Sequence, residues 1–189
     1  MHSYEPTHKD SLADCDLSIL GDPNLTINDL PRFSPWPARL LGLDHWEKRY
    51  KTPRQITREY ELEKWGPLLS KMQEPASIRS LAEADASVLD ALPQFCSIDN
   101  RFKLLPSLEA HAFHLQLVES VLKAYLPASA LVELGAGYGS VILALTKRRC
   151  FRQLPTIAAE YTPSGVDAIK HLAVLEHLTI TVGYCDFTE

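Results

Sequence analysis

The stretch Glu133-Leu134-Gly135-Ala136-Gly137-Tyr138-Gly139 decides how this chain is read. The residues that lead into it, Ala130-Leu131-Val132-Glu133-Leu134, form a short apolar run ended by a glycine cluster, which reads as a buried strand. The residues that follow, Ser140 to Arg148, return to a helical pattern, with Lys147, Arg148 and Arg149 at the end where the helix dipole favours cations. A ligand pressed against the turn between them needs glycines, because side chains would block its approach to the backbone. The N–H groups at the start of the following helix favour an anionic part of such a ligand.

Downstream, Thr156 to Ala159 is strand-like, Ser164 to His177 is helical, and residues 178–184, rich in β-branched side chains, read as a strand. Ser164 with Asp167 three residues later is a helix-start signature. From residue 130 the pattern is therefore β-α-β-α-β. It predicts a parallel sheet with right-handed crossovers and helices on its faces.

Upstream, residues 107–126 form the strongest amphipathic helix, with Ser107 as N-cap, Leu108, Leu115, Leu122 and Leu126 at helical spacing, and Pro127 ending it. Thr52 caps an earlier helix, with Pro53 first in the helix and Gln55 completing a capping box; Gly66-Pro67 is expected to stop it. A further helix is expected over Ser77–Leu92, ending at Pro93. Residues 1–37 contain five prolines and little periodicity, which reads as an extended arm anchored by Phe33 and Trp36. The division that follows is an arm with a helical subdomain over 1–105 and an α/β domain over 106–189.

Composition sets the outer bounds. The 189 residues are 46% hydrophobic and 23% charged, as in an ordinary globular chain rather than a disordered or collagen-like one. A formal net charge of -5 argues against a nucleic-acid binder working through bulk charge. The N-terminal residues are polar and mixed in charge, unlike a signal peptide, and no apolar run approaches the ~20 residues that span a bilayer. Cys15, Cys96, Cys150 and Cys185 lie far apart with no C-x-x-C pair, so they read as reduced thiols and the location as cytoplasmic.

Glycine spacing separates the cofactor classes. A dinucleotide fingerprint is G-x-G-x-x-G, whereas this turn is G-x-G-x-G, and Glu133 stands two residues before its first glycine. A carboxylate there is the wrong charge for a pyrophosphate and suits a ligand with an ammonium group. On these residues the chain resembles the class I S-adenosylmethionine (SAM) dependent methyltransferases, whose first motif is an acidic residue followed by G-x-G-x-G. The resemblance covers about residues 107–189. It implies a Rossmann-like sheet, SAM (S-adenosyl-L-methionine) as cofactor, and a site made of Glu133, Gly135, Ala136, Gly137, Tyr138, Gly139, Glu160, Tyr161 and Asp186. Within it Glu160 would accept hydrogen bonds from ribose hydroxyls, Asp186 would meet the adenine amino group, and Tyr161 would pack on the adenine.

The family fold implied by the resemblance has further strands, and the first strand is central in it. Here that strand would be an exposed edge with apolar residues on both faces. The expectation is a chain that is the N-terminal part of a longer enzyme, with a split enzyme completed by a partner chain, or self-association over the edge, as the other readings.

The remaining motifs carry less. His111-x-x-His114 puts two imidazoles one helical turn apart, but no third ligand stands nearby, so they read as structural and no metal is expected. His45, Trp46, Tyr50, Tyr60 and Trp65 read first as subdomain core and second as a substrate pocket. The series Lys48, Arg49, Lys51, Arg54 and Arg58 is interspersed with Glu47, Glu59, Glu61 and Glu63 and reads as a solvated helix face.

The expected activity is methyl transfer to an O, N or C nucleophile of a small-molecule acceptor, with no nucleic acid and no membrane as partner. The helical region upstream would cover the site. An oxygen acceptor would need a base, for which His45, His111 and His114 are nominal candidates and none is assigned. The alternative is a non-catalytic binding or regulatory partner. An NAD-dependent oxidoreductase is disfavoured by the glycine spacing and by Glu133.

Overall fold

The computed structural model describes residues 25–33, 40–43, 52–75, 77–89 and 93–186. In chain order its first elements are α1 (Leu30–Phe33), α2 (Pro53–Thr57), α3 (Gly66–Gln73), α4 (Leu81–Val88), β1 (Gln94–Ile98) and β2 (Arg101–Leu105). They are followed by α5 (Ser107–Lys123), β3 (Leu131–Leu134), α6 (Ser140–Thr146), β4 (Thr156–Glu160), α7 (Pro163–Leu175) and β5 (Thr181–Tyr184). By contact, the described residues of 1–48 and 90–111 form one unit, and those of 49–89 and 112–189 form another.

In the first unit Thr26 starts a helical turn. Its N–H donates to Asp29 Oδ2 at 2.8 Å and its hydroxyl to the same oxygen at 3.0 Å, and a 3₁₀ turn over Ile27–Asp29 leads into α1. The arm expected to be extended is thus helical at 27–33, because a cap at three-residue spacing outweighs the nearby prolines. The rest of that arm, Trp36 included, lies outside the described residues. Phe33 stacks on Phe95 with ring centroids 6.4 Å apart. β1 and β2 form an antiparallel hairpin that the helical reading of this region did not contain. Its turn is Asp99-Asn100, with φ of 52° and 59°, the left-handed pair that suits a two-residue hairpin and that these two residue types tolerate.

The second unit begins with the capping box read from the sequence. Gln55 N–H donates to Thr52 Oγ1 at 3.3 Å, and Thr52 N–H donates to Gln55 Oε1 at 2.8 Å. Gly66-Pro67 does not stop this helix. The backbone widens into a π-helix over Arg58–Trp65, so that Gly66 N–H reaches Glu61 O five residues back, and α3 resumes with Pro67 in its first turn. There the missing N–H and fixed φ of proline are tolerated. A Cβ on Gly66 would lie 2.5 Å from Glu61 O, so the close turn needs glycine at that place.

α4 starts at Leu81 rather than Ser77, because Ser80 Oγ accepts Glu83 N–H at 3.2 Å and fixes the cap there; Leu89 is already extended and 90–92 lie outside the described residues. α5 ends at Lys123 rather than Leu126, its last residues tightening into i→i+3 bonds such as Tyr125 N–H to Leu122 O at 3.0 Å. α7 is entered from Thr162, so Ser164 is its second residue and not the cap.

β3, β4 and β5 form a three-stranded sheet in that order, both pairs parallel, with Leu131 opposite Thr156 and Ile157 opposite Thr181. The alternation read from residue 130 onward is present, and the protein is a mixed α/β chain. α6 and α7 cover one face of the sheet. Leu131 and Ala158 there join a core with Ile142, Leu143, Phe151, Ile169 and Leu172, to which Leu68 and Met72 of α3 and Leu81 and Ala84 of α4 belong. Along β3 the alternate residues Val132 and Leu134 are 53% and 67% exposed, beside exposed Ile157 of β4. Among the described residues β3 is also the edge strand of this sheet. No helix among the described residues is long and apolar enough to cross a membrane.

Candidate functional site

The site lies at the carboxyl ends of β3, β4 and β5, where open parallel sheets present the turns that lead into their helices. A cavity of about 330 Å³ opens there, within the size range of small-ligand pockets. Its described walls are Gly135, Gly137, Glu160, Tyr161 and Asp186 from the sheet side and Pro53, Ile56, Tyr60 and Trp65 from the α2–π–α3 helix.

The turn after β3 is held by main chain. Gly135 and Ala136 N–H both donate to Ala159 O, at 2.8 and 3.1 Å, and Gly139 N–H donates to Ala136 O at 2.8 Å. Gly137 has φ +59, a left-handed conformation that side chains resist, and its N–H donates to Glu160 Oε2 at 2.8 Å. The main-chain donors expected to face a ligand are therefore largely engaged within the protein at Gly135, Ala136, Gly137 and Gly139. Gly135 remains open, since a Cβ there would meet nothing within 4 Å.

Glu160, at the end of β4, is only 5% exposed. Besides Gly137 N–H it accepts Thr162 N–H at 3.1 Å and the Thr162 hydroxyl at 2.8 Å, both on Oε1. Charge-assisted bonds of this kind hold a buried carboxylate in place. Above it Gly165 of α7 closes in: a Cβ on that residue would stand 2.7 Å from Glu160 Cγ and 2.8 Å from Gly137 O. Gly165 was not singled out from the sequence, although a glycine two positions into a helix that follows a strand-end acid is a signal for such an approach.

Glu133 points to the helix rather than into the cavity. Its Oε2 accepts Ile142 N–H at 2.9 Å, in the first turn of α6, and satisfies one of the donors that helix leaves free. Burial pushes its carboxyl up to about 7; the Ile142 bond opposes the rise and the charge of Glu160 adds to it. Tyr138 is buried too, and its hydroxyl donates to Asp85 Oδ1 of α4 at 2.9 Å. Burial first, and then the Asp85 carboxylate, raise the Tyr138 phenol above its ordinary range. Ser140 Oγ donates to the same Asp85 oxygen at 2.6 Å, so one acid ties α4 to the start of α6.

Of the residues named from the sequence, Gly135, Gly137, Glu160, Tyr161 and Asp186 meet at the cavity. Glu133, Ala136, Tyr138 and Gly139 are not among its described walls; a Cβ on Gly139 would meet Ile169 and Leu143 of the core. Tyr161 packs on Tyr184, their ring centroids 6.0 Å apart. Tyr60 and Trp65, which read first as subdomain core, line the cavity, while His45, Trp46 and Tyr50 lie outside the described residues. Pro53 and Ile56 were not anticipated as walls. Glu61, read as part of a solvated face, instead receives Ser164 N–H and Oγ on its Oε2, at 3.0 and 2.8 Å, and binds the π-helix to the start of α7.

Both charged groups on the described walls, Glu160 and Asp186, are acidic, and the rest of the lining is aromatic, aliphatic or glycine. Such a surface accepts a cationic or hydroxyl-bearing ligand with flat apolar parts and disfavours a pyrophosphate. No histidine is among those walls, and no group of three metal-ligating side chains occurs among the described residues. Comparison with protein-family models, curated proteins and solved structures returned no match.

Proposed function

We propose that the chain binds SAM at the turn of residues 133–139 in a Rossmann-like domain, and that it serves methyl transfer to an O, N or C nucleophile of a small molecule. The observation that carries this reading is one cavity shared by a glycine turn, two strand-end acids and no cation among its described walls. An acceptor and an aromatic face are what a purine with an exocyclic amine calls for, and Asp186 and Tyr161, which both line this cavity, support the reading. Glu160 keeps about one acceptor direction for a ribose hydroxyl, because a carboxylate has about four and three bonds occupy it here.

Bound there, SAM would supply a methyl group on a sulfonium leaving group. The part of the protein is then to orient and to exclude water. Tyr60 and Ile56 add apolar lining to the acids, and the ring of Tyr60 suits a nearby positive charge. No base is assigned. A cytoplasmic enzyme whose β3 edge is covered by a partner chain or a second copy completes the reading.

A second reading, a non-catalytic binding or regulatory partner, is favoured by the main-chain donors of the turn being satisfied internally. Calorimetric titration with SAM and with NAD separates the possibilities. Saturable SAM binding, with NAD weaker, supports the first; no SAM binding by folded protein supports the second; tighter NAD binding reverses the cofactor assignment.

A further inference from the structure

The indole of Trp65 lies on the glycine turn. A Cβ on Gly137 would stand 3.0 Å from Trp65 Cζ2, so the ring occupies the space that the missing side chain leaves bare. It is held by Tyr138 and Tyr60, with ring centroids 5.3 and 6.3 Å away. Yet its Nε1 is a buried side-chain donor with no hydrogen-bond partner, and no other such atom occurs among the described residues. A buried unpaired donor is costly and calls for a reason. The ring is carried at the end of the π-helix, a distortion that recurs at functional sites and has an ordinary α-helical alternative.

We infer that Trp65 is a gate: its indole covers Gly137 of the glycine turn in the ligand-free protein and swings away when a ligand enters. The inference rests on the SAM reading for its ligand but not for its motion. In the closed position aromatic packing is gained and the N–H goes unpaired. In the open position packing is lost and the N–H meets water or an acceptor on the ligand. Opposed contributions of this kind produce two states of similar free energy, which a ligand binding only one of them can shift. The affinity measured for the ligand is then reduced by the fraction of protein that is open.

Two substitutions separate a gate from a wall. Trp65→Ala removes the plug and is expected to tighten SAM binding about tenfold, the factor that applies when the closed form holds nine-tenths of the population. Trp65→Phe keeps a ring on the turn without the unpaired donor, so the closed form deepens and SAM binding weakens several-fold. Both are read by calorimetry, with thermal melts to show that each variant is folded. If Trp65→Ala weakens binding as well, or leaves it unchanged, the gate is overturned. Relaxation dispersion on the Trp65 indole N–H of the ligand-free wild type gives a readout independent of SAM. Exchange between two environments is expected, and a single static, exchange-protected signal overturns the gate. If SAM binds none of the three proteins, the methyl-donor reading fails by itself, and the indole signal alone then decides for or against the gate.

Discussion

The Glu160 carboxylate accepts the Gly137 N–H at 2.8 Å, joining the acid at the end of β4 to the middle of the turn that follows β3. The two residues are far apart in the chain, and the bond makes the shape of the turn depend on the acid. Replacing Glu160 with Ala removes this acceptor and that of Thr162 together. The expected loss is ~1–3 kcal/mol in folding stability, with weakened SAM binding, measured by thermal denaturation and calorimetry. A Glu160→Ala protein as stable as wild type and with equal affinity would show that the turn is held without it.

Gly165→Ala tests the close approach of α7. Its new methyl would meet Glu160 Cγ and the main-chain oxygen of Gly137, neither of which is the free end of a flexible side chain. Overpacking of this sort costs ~1–3 kcal/mol, against the gain usual for alanine in a helix. Denaturant melts check the sign.

Glu133 makes stability depend on pH. Its folded-state value, about 7, lies above the ordinary 4.5, so the folded chain holds the proton more tightly than the unfolded one. The corresponding stability is fully present below 4.5 and is lost as pH rises through 7. Discounted for partial exposure, the loss is ~1–2 kcal/mol. Glu133→Gln, which keeps an acceptor for Ile142 N–H, is expected to flatten the stability profile across that window. An unchanged slope would refute the assignment.

Asp85→Ala removes the acceptor of the Tyr138 and Ser140 hydroxyls, both of which are buried. A loss of ~2 kcal/mol or more is expected in chemical denaturation, because two buried donors lose a charged partner.

The sheet half of the fold was legible from local pattern. Residues 131–184 alternate strand and helix with short connections, and each apolar run has a length that suits its element. The Thr52–Gln55 cap was legible for the same reason: both halves of the interaction sit three residues apart. The hairpin at 94–105 was missed because Asp99-Asn100 was not weighed as a left-handed turn pair. The wall made by Tyr60 and Trp65 was not readable from α-helical spacing, in which five residues put two side chains about 140° apart. The π-helix brings them to one cavity, and nothing in Arg58–Trp65 signals that distortion except Gly66-Pro67, which ordinarily marks a stop. The acids were found because they end strands. What holds Glu160 was only partly legible: Gly137 was named, but Thr162 and the close approach of Gly165 were not, because they reach the acid through packing that no local pattern encodes.

The extra residue absorbed between Arg58 and Trp65 also sets how the cavity could be lost by miscounting. Leu68 and Met72 anchor the downstream half of that helix in the core. Deleting Leu62, which is 68% exposed and buries little itself, would return the segment to ordinary pitch at the cost of the Glu61–Ser164 bonds. The upstream half would then turn about 100° around its axis, carrying Pro53, Ile56 and Tyr60 away from the acids. One exposed surface position thus acts as a spacer, and its presence, rather than its chemistry, decides which side chains face the cavity.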